Sequence, residues 1–160
     1  MDGRIDRGGA AEYVGWCRGS YPSGYVPRME EVTVATVELT AQNFDSVVSG
    51  ADLAFVDFWA SWCGPCRMFG PIYERAAKKH TDLVFAKVDT EAQPELAQAF
   101  NITSIPTLVV IKDKVVLYAQ PGALPESSLE DLISQAREVD MEQVRADIAA
   151  KQASSAEAGA

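Results

Sequence analysis

Leu53, Ala54, Phe55, Val56, Phe58 and Trp59 form an apolar run broken only by Asp57. A sheet with one wet face alternates apolar and polar positions, so a run this continuous predicts a central strand covered on both sides. Upstream, the β-branched Val32, Thr33, Val34, Thr36 and Val37 favour a strand reaching Leu39. A helix from Thr40 then carries Phe44, Val47 and Val48 until Gly50 ends it. From Cys63 to about His80, Met68, Phe69, Ile72, Tyr73, Ala76 and Ala77 recur at helical spacing. Pro71 lies inside that stretch; it has no N–H and crowds the carbonyl four residues back, so a kink is expected. Leu83 to Val88 reads as a third strand, Pro94 to Phe100 as a short helix, and Thr107 to Ile111 with Val115 to Ala119 as a hairpin. Its turn, Lys112-Asp113-Lys114, lacks the glycine that tight hairpins favour, so a loose connection is expected. A helix from about Ser127 sets Leu129, Leu132, Ile133, Ala136 and Val139 on one face.

The order β-α-β-α-β-α-β-β-α implies an α/β fold with a central mixed sheet flanked by helices. Asp140 and Gln143 have capping-box spacing, and Val144 and Ile148 extend an apolar pattern, so the last helix either continues or breaks and restarts there. Ala153 to Ala160, rich in Ala, Ser and Gly, is expected to be disordered. Residues 1–31 scatter glycine and proline with no apolar period, the pattern of a poorly ordered arm. Met29 is an alternative start that would make the upstream residues an artefact. The expected organisation is an arm over 1–31, one domain over 32–139, and a helical extension with a tail over 140–160.

Acidic residues outnumber basic ones, 23 against 14, for a net charge of -9. That balance disfavours nucleic acid and anionic membranes, both negative themselves. With three cysteines and no apolar leader, a reducing compartment is expected. No stretch approaches the roughly 20 apolar residues that span a bilayer, so a soluble cytoplasmic protein is expected.

The densest chemistry is Trp62-Cys63-Gly64-Pro65-Cys66, at the carboxyl end of the apolar strand where a helix begins. Open α/β sheets commonly keep their chemistry at that end. Two thiols one turn apart make and break a disulfide. Cys63, in the first turn, would meet unpaired N–H groups and the positive end of the helix dipole, which favour a thiolate. Cys66, one turn in and more shielded, suits a resolving thiol that attacks a mixed disulfide. Gly64 and Pro65 shape the turn. Asp57 is a carboxylate in an apolar strand, where burial raises its pKa and makes it a candidate proton acceptor for Cys66. Lys87 on the next strand is its candidate partner. Cys-x-x-Cys also occurs as half a zinc site, but zinc takes about four ligands and only Cys17, in the arm with Trp16, and His80 remain. His80 suits a helix carboxyl end instead, and no metal is expected.

Phe55-Val-Asp-Phe-Trp-Ala-Ser-Trp-Cys-Gly-Pro-Cys-Arg67, then Pro71, Lys87-Val-Asp89, Ile105-Pro106-Thr107 and Gly122, closely resemble the thioredoxin family over about Val34 to Gln135. The resemblance implies a thioredoxin fold and a protein-disulfide reductase that supports cell redox homeostasis. It implies Cys63 as nucleophile, Cys66 as resolving thiol, Asp57 as buried proton acceptor and Lys87 as its neighbour. It also implies a cis Ile105–Pro106 bond, which leaves the Ile105 backbone free to pair with an extended substrate. Trp62, Gly64, Pro65, Ile105, Pro106, Gly122 and Ala123 would form a flat client surface, with Trp59 in it or in the core. Implied partners are a thioredoxin reductase using FAD and NADPH and oxidised client proteins, for a monomer with no bound cofactor. Departures are Arg67 where Lys is common, the glycine-free hairpin turn, the arm and the long carboxyl end. The rival readings are a binding or chaperone module with residues 140–152 as a docking helix, and an oxidant or isomerase, which belongs to oxidising compartments.

Overall fold

A computed structural model describes residues 35–158, with side chains through Ser155. The arm 1–31 with Trp16 and Cys17, and the first residues of the predicted opening strand, lie outside the described residues. The elements are β1 (Val37–Glu38), α1 (Phe44–Ser49), β2 (Leu53–Trp59), α2 (Gly64–Lys79), β3 (Val84–Asp89), α3 (Pro94–Ala99), β4 (Thr107–Lys112), β5 (Val115–Pro121), α4 (Glu126–Glu138) and α5 (Met141–Ala158).

The sheet order is β1-β3-β2-β4-β5, with β1, β3 and β2 parallel and β4 and β5 antiparallel to their neighbours. β2 is thus the middle strand, and its alternate residues feed two cores. Leu53 and Phe55 pack with Phe69, Tyr73, Phe85, Leu129 and Ile133 on the α2/α4 side. Val56 and Phe58 pack with Leu39, Val48, Val88 and Leu96 on the other. Phe55 stacks on Phe85 at 5.1 Å, and Tyr73 meets Phe85 edge-on at 5.3 Å.

Several expectations change. Within the described residues β1 spans only Val37–Glu38, because β-propensity needs a partner ladder and β3 supplies one only at Ala86 and Lys87. α1 starts at Phe44 instead of Thr40. Asn43 accepts the Thr40 N–H at 2.8 Å and donates to the Glu38 carbonyl at 3.0 Å, closing a turn that competes with the helix. Met68 is 76% exposed, since it sits about 100° round α2 from the Phe69–Tyr73 stripe. The hairpin turn is tight. Lys112 pairs with Val115, and the two residues between them, Asp113 and Lys114, have φ of 49° and 66°, the left-handed pair of a type I′ turn without glycine.

The carboxyl end breaks and restarts. Val139 is extended, and Asp140 Oδ1 caps α5 by accepting the N–H groups of Glu142 at 2.9 Å and Gln143 at 3.3 Å. The reciprocal half of a capping box is replaced by Gln143 donating to Asp147 at 2.9 Å. Lys112 Nζ closes the end of α4 by donating to the carbonyls of Ala136, Arg137 and Val139 at 2.9–3.0 Å. Arg145 ties α5 to the hairpin through Asp113 at 2.9 Å. The tail expected to be disordered is helical to Ala158, consistent with alanine's high helix propensity. Among the described residues, no helix is long and apolar enough to cross a membrane.

Candidate functional site

β2 ends at Trp59, and a three-residue link delivers the chain to Cys63, the N-cap of α2. The cysteine expected in the first turn therefore stands one position before it, with φ of -82° and ψ of 113°. Its sulfur accepts the backbone N–H of Cys66 at 3.2 Å, a role that Ser or Asp oxygens usually fill. Pro65 opens the helix at no cost in hydrogen bonds. Cys63 and Cys66 are joined by a disulfide, with Cα atoms 5.3 Å apart. Cys66 is expected to be the more shielded thiol; instead both residues of the bonded pair are 4% exposed.

Around the sulfurs, Ile105–Pro106 is cis, and the Ile105 carbonyl lies 3.7 Å from Cys63 Sγ. Gly122, at φ 114°, donates its N–H to the Pro106 carbonyl at 2.7 Å, which joins the end of β5 to the start of β4. Trp62 is 65% exposed, and Gly64, Pro65, Gly122 and Ala123 are exposed as well. Pro106, predicted to belong to the open surface, is buried, and Ile105 is half-buried. A recess of about 370 Å³ opens between Trp62 and Ile105, with Thr90, Ala97 and Ile102 among its walls. Glu91, which the sequence reading missed, accepts the Trp62 indole N–H at 3.1 Å. Only tertiary structure brings it there, through Thr90 bonding back to the Trp59 carbonyl.

Beneath this surface Asp57 is 1% exposed. Burial pushes its carboxyl up from 3.8 to about 7, against the opposing pull of the Lys87 ammonium. Among the described residues neither carboxylate oxygen has a hydrogen-bond partner, and nor does the Trp59 indole N–H. Lys87 lies directly across the ladder from Asp57, with Nζ 4.8 Å from the centre of the half-buried Trp59 ring. Tyr73 Oη lies 2.9 Å from the Phe55 carbonyl and 2.8 Å from that of Ala86, and accepts the Ala86 N–H at 3.2 Å. Burial, reinforced by the Asp57 carboxylate, holds its phenol well above the usual range.

His80 caps the end of α2 by donating its N–H to the Ala76 carbonyl, and its ring bridges Glu130 at 2.9 Å and Arg137 at 3.3 Å. Among the described residues no group of three or more His, Cys, Asp or Glu is gathered to hold a metal.

The thioredoxin family model matches residues 35–135. The chain belongs to the thioredoxin family. A Streptomyces coelicolor protein provisionally named thioredoxin 2 is 60% identical over 119 residues, 74% of this chain and 89% of that protein. Thioredoxin C-3 of Corynebacterium nephridii is 44% identical over 100 residues, 62% of this chain and 69% of that one. A solved thioredoxin structure from Plasmodium falciparum matches with a TM-score of 0.59 and 40% identity, over 62% of this chain and 98% of that one. The mixed sheet with its flanking helices is the thioredoxin fold. As a thioredoxin the chain is a protein-disulfide oxidoreductase: it exchanges a dithiol for a disulfide and acts on oxidised proteins.

Proposed function

We propose that this thioredoxin works in the cytoplasm as a monomeric reductase, with Cys63 as nucleophile, Cys66 as resolving thiol, Asp57 as proton acceptor and Lys87 as the charge beside it. The reading rests above all on the sulfur of Cys63, which takes the place of an N-cap oxygen and accepts the Cys66 N–H. A thiolate there gains a hydrogen bond and the helix dipole together. It attacks a client disulfide, one client sulfur leaves as thiolate, and a mixed disulfide forms. Asp57 takes the Cys66 proton; the Cys66 thiolate attacks Cys63 Sγ and expels the second client thiolate. Two electrons pass to the client and the protein is left oxidised. A carboxyl near 7 suits the proton step because its two forms are almost balanced at neutral pH.

Clients lie against Trp62, Gly64, Pro65, Ile105, Gly122 and Ala123, and Pro106 acts from below by shaping the loop. Electron transport runs from NADPH through a flavin-dependent thioredoxin reductase to the Cys63–Cys66 disulfide. The domain carries this chemistry within residues 32–139, with 140–160 as an extension. Reduction of insulin by the protein with the reductase and NADPH, followed by NADPH oxidation and insulin precipitation, tests the reading. Turnover well above the uncatalysed rate is expected, and none at all would end it.

A further inference from the structure

The recess beside the dithiol, about 370 Å³, is walled by Ala97, Ile102, Ile105 and the exposed Trp62 ring. It has room for one long side chain, and these walls favour a hydrocarbon stem. None of the residues lining it is charged, but a carboxylate is fixed to its wall: Glu91 Oε1 accepts the Trp62 indole N–H at 3.1 Å. Glu91 is itself held. Its N–H donates to Asp89 Oδ1 at 2.9 Å, and the preceding Thr90, another wall, bonds to the Trp59 carbonyl through its N–H at 2.9 Å and its hydroxyl at 3.2 Å. Trp62 takes one carboxylate oxygen and leaves the other to a ligand; among the described residues Glu91 is engaged in no ion pair.

We infer that Glu91 sets a client preference: the recess takes a Lys or Arg side chain that lies close to the attacked cysteine. The stem runs along Ala97, Ile102 and Ile105, while the cationic head rests on the face of the Trp62 ring and meets the Glu91 carboxylate. Long cationic side chains bury their stems and keep their heads at the rim in this way, and indole is the best aromatic partner for such a head. An extended client paired on the Ile105 backbone brings its side chains past the recess. The Ile105 carbonyl lies 3.7 Å from Cys63 Sγ, so at 3.3 Å or so per residue the entering side chain is within about two positions of the attacked cysteine. An acidic side chain at that position meets a like charge, which weakens the wrong client as well as favouring the right one. Glu91 is thereby a specificity residue and takes no part in the bond exchange.

The inference rests on this face being the client surface of a reductase, and the test separates the two. Short disulfide-bonded peptides carry Lys, Gln or Glu in turn at each of the nearest positions on either side of the cysteine. Reduced full-length protein is mixed with each, and the second-order rate of thiol release is read by quenched flow and chromatography. At one position at least, Lys is expected to outrun Glu about fivefold with Gln between them, the size of effect that a partly exposed ion pair supplies. The ratio should shrink towards one at about 1 M salt, where the screening length is about 3 Å. Glu91→Gln keeps an oxygen for the Trp62 N–H but carries no charge, so its Lys-to-Glu ratio should also fall towards one. Equal rates for Lys and Glu at every position, a preference that salt leaves in place, or one that survives in Glu91→Gln each overturns the inference. A parent protein that reduces none of the peptides overturns the reductase reading instead.

Discussion

Asp57 faces Lys87 across the β2–β3 ladder, yet the ammonium does not hold the carboxyl in its ordinary range: burial outweighs the pairing and leaves it at about 7. The folded protein thus binds the Asp57 proton more tightly than the unfolded chain does. This contribution to stability is fully present below pH 3.8, declines as pH rises, and is gone above about 7.

Asp57→Asn removes the titration. Its stability relative to the parent should climb between about pH 4 and pH 7 and then level off, by at most roughly 4 kcal/mol for a three-unit shift. Urea denaturation across that range measures it, and a gap that stays constant would show that burying the charge is not what raises the carboxyl.

The cysteine roles predict an asymmetry. Cys66→Ser keeps the N–H that bonds to Cys63 Sγ but removes the second attack, so clients should accumulate on Cys63 as mixed disulfides. Cys63→Ser should trap almost none. Non-reducing gels with mass spectrometry decide, and equal trapping by both would refute the assignment.

Lys112→Met should destabilise the protein by about 2 kcal/mol, because three carbonyls at the end of α4 lose a charged donor. Urea unfolding at neutral pH reads the loss. A change within error would mean that solvent replaces the ammonium fully.

Lys114→Gly should stabilise by about 1 kcal/mol, since Lys114 holds φ of 66° where an L side chain is strained. The Asp113–Arg145 pair is left in place. Thermal unfolding of the variant checks it, with a lower midpoint counting against the argument.

These cases also mark what the chain reveals before folding. The run Leu53–Trp59 was legible because a strand buried on both faces leaves no polar alternation to misread. The turn was not, because left-handed Asp113 and Lys114 follow from the demands of the ladder, and no residue preference announces them. Ala153 onward is poor in core-forming residues and rich in alanine, two signals that point opposite ways; helix won. Asp57 and the cysteines stand out by type, whereas Glu91 becomes visible only once loop closure brings it to Trp62. The shielding of Cys66 was overestimated because sequence spacing says nothing about how two bonded sulfurs share their cover.

Cys63 is both a reacting atom and the structural start of α2. A change of bonding at that sulfur is therefore felt first by the leading turn of the helix, whose Cys66 N–H it accepts. Storage of two electrons and the firmness of a sixteen-residue scaffold element are coupled through one atom.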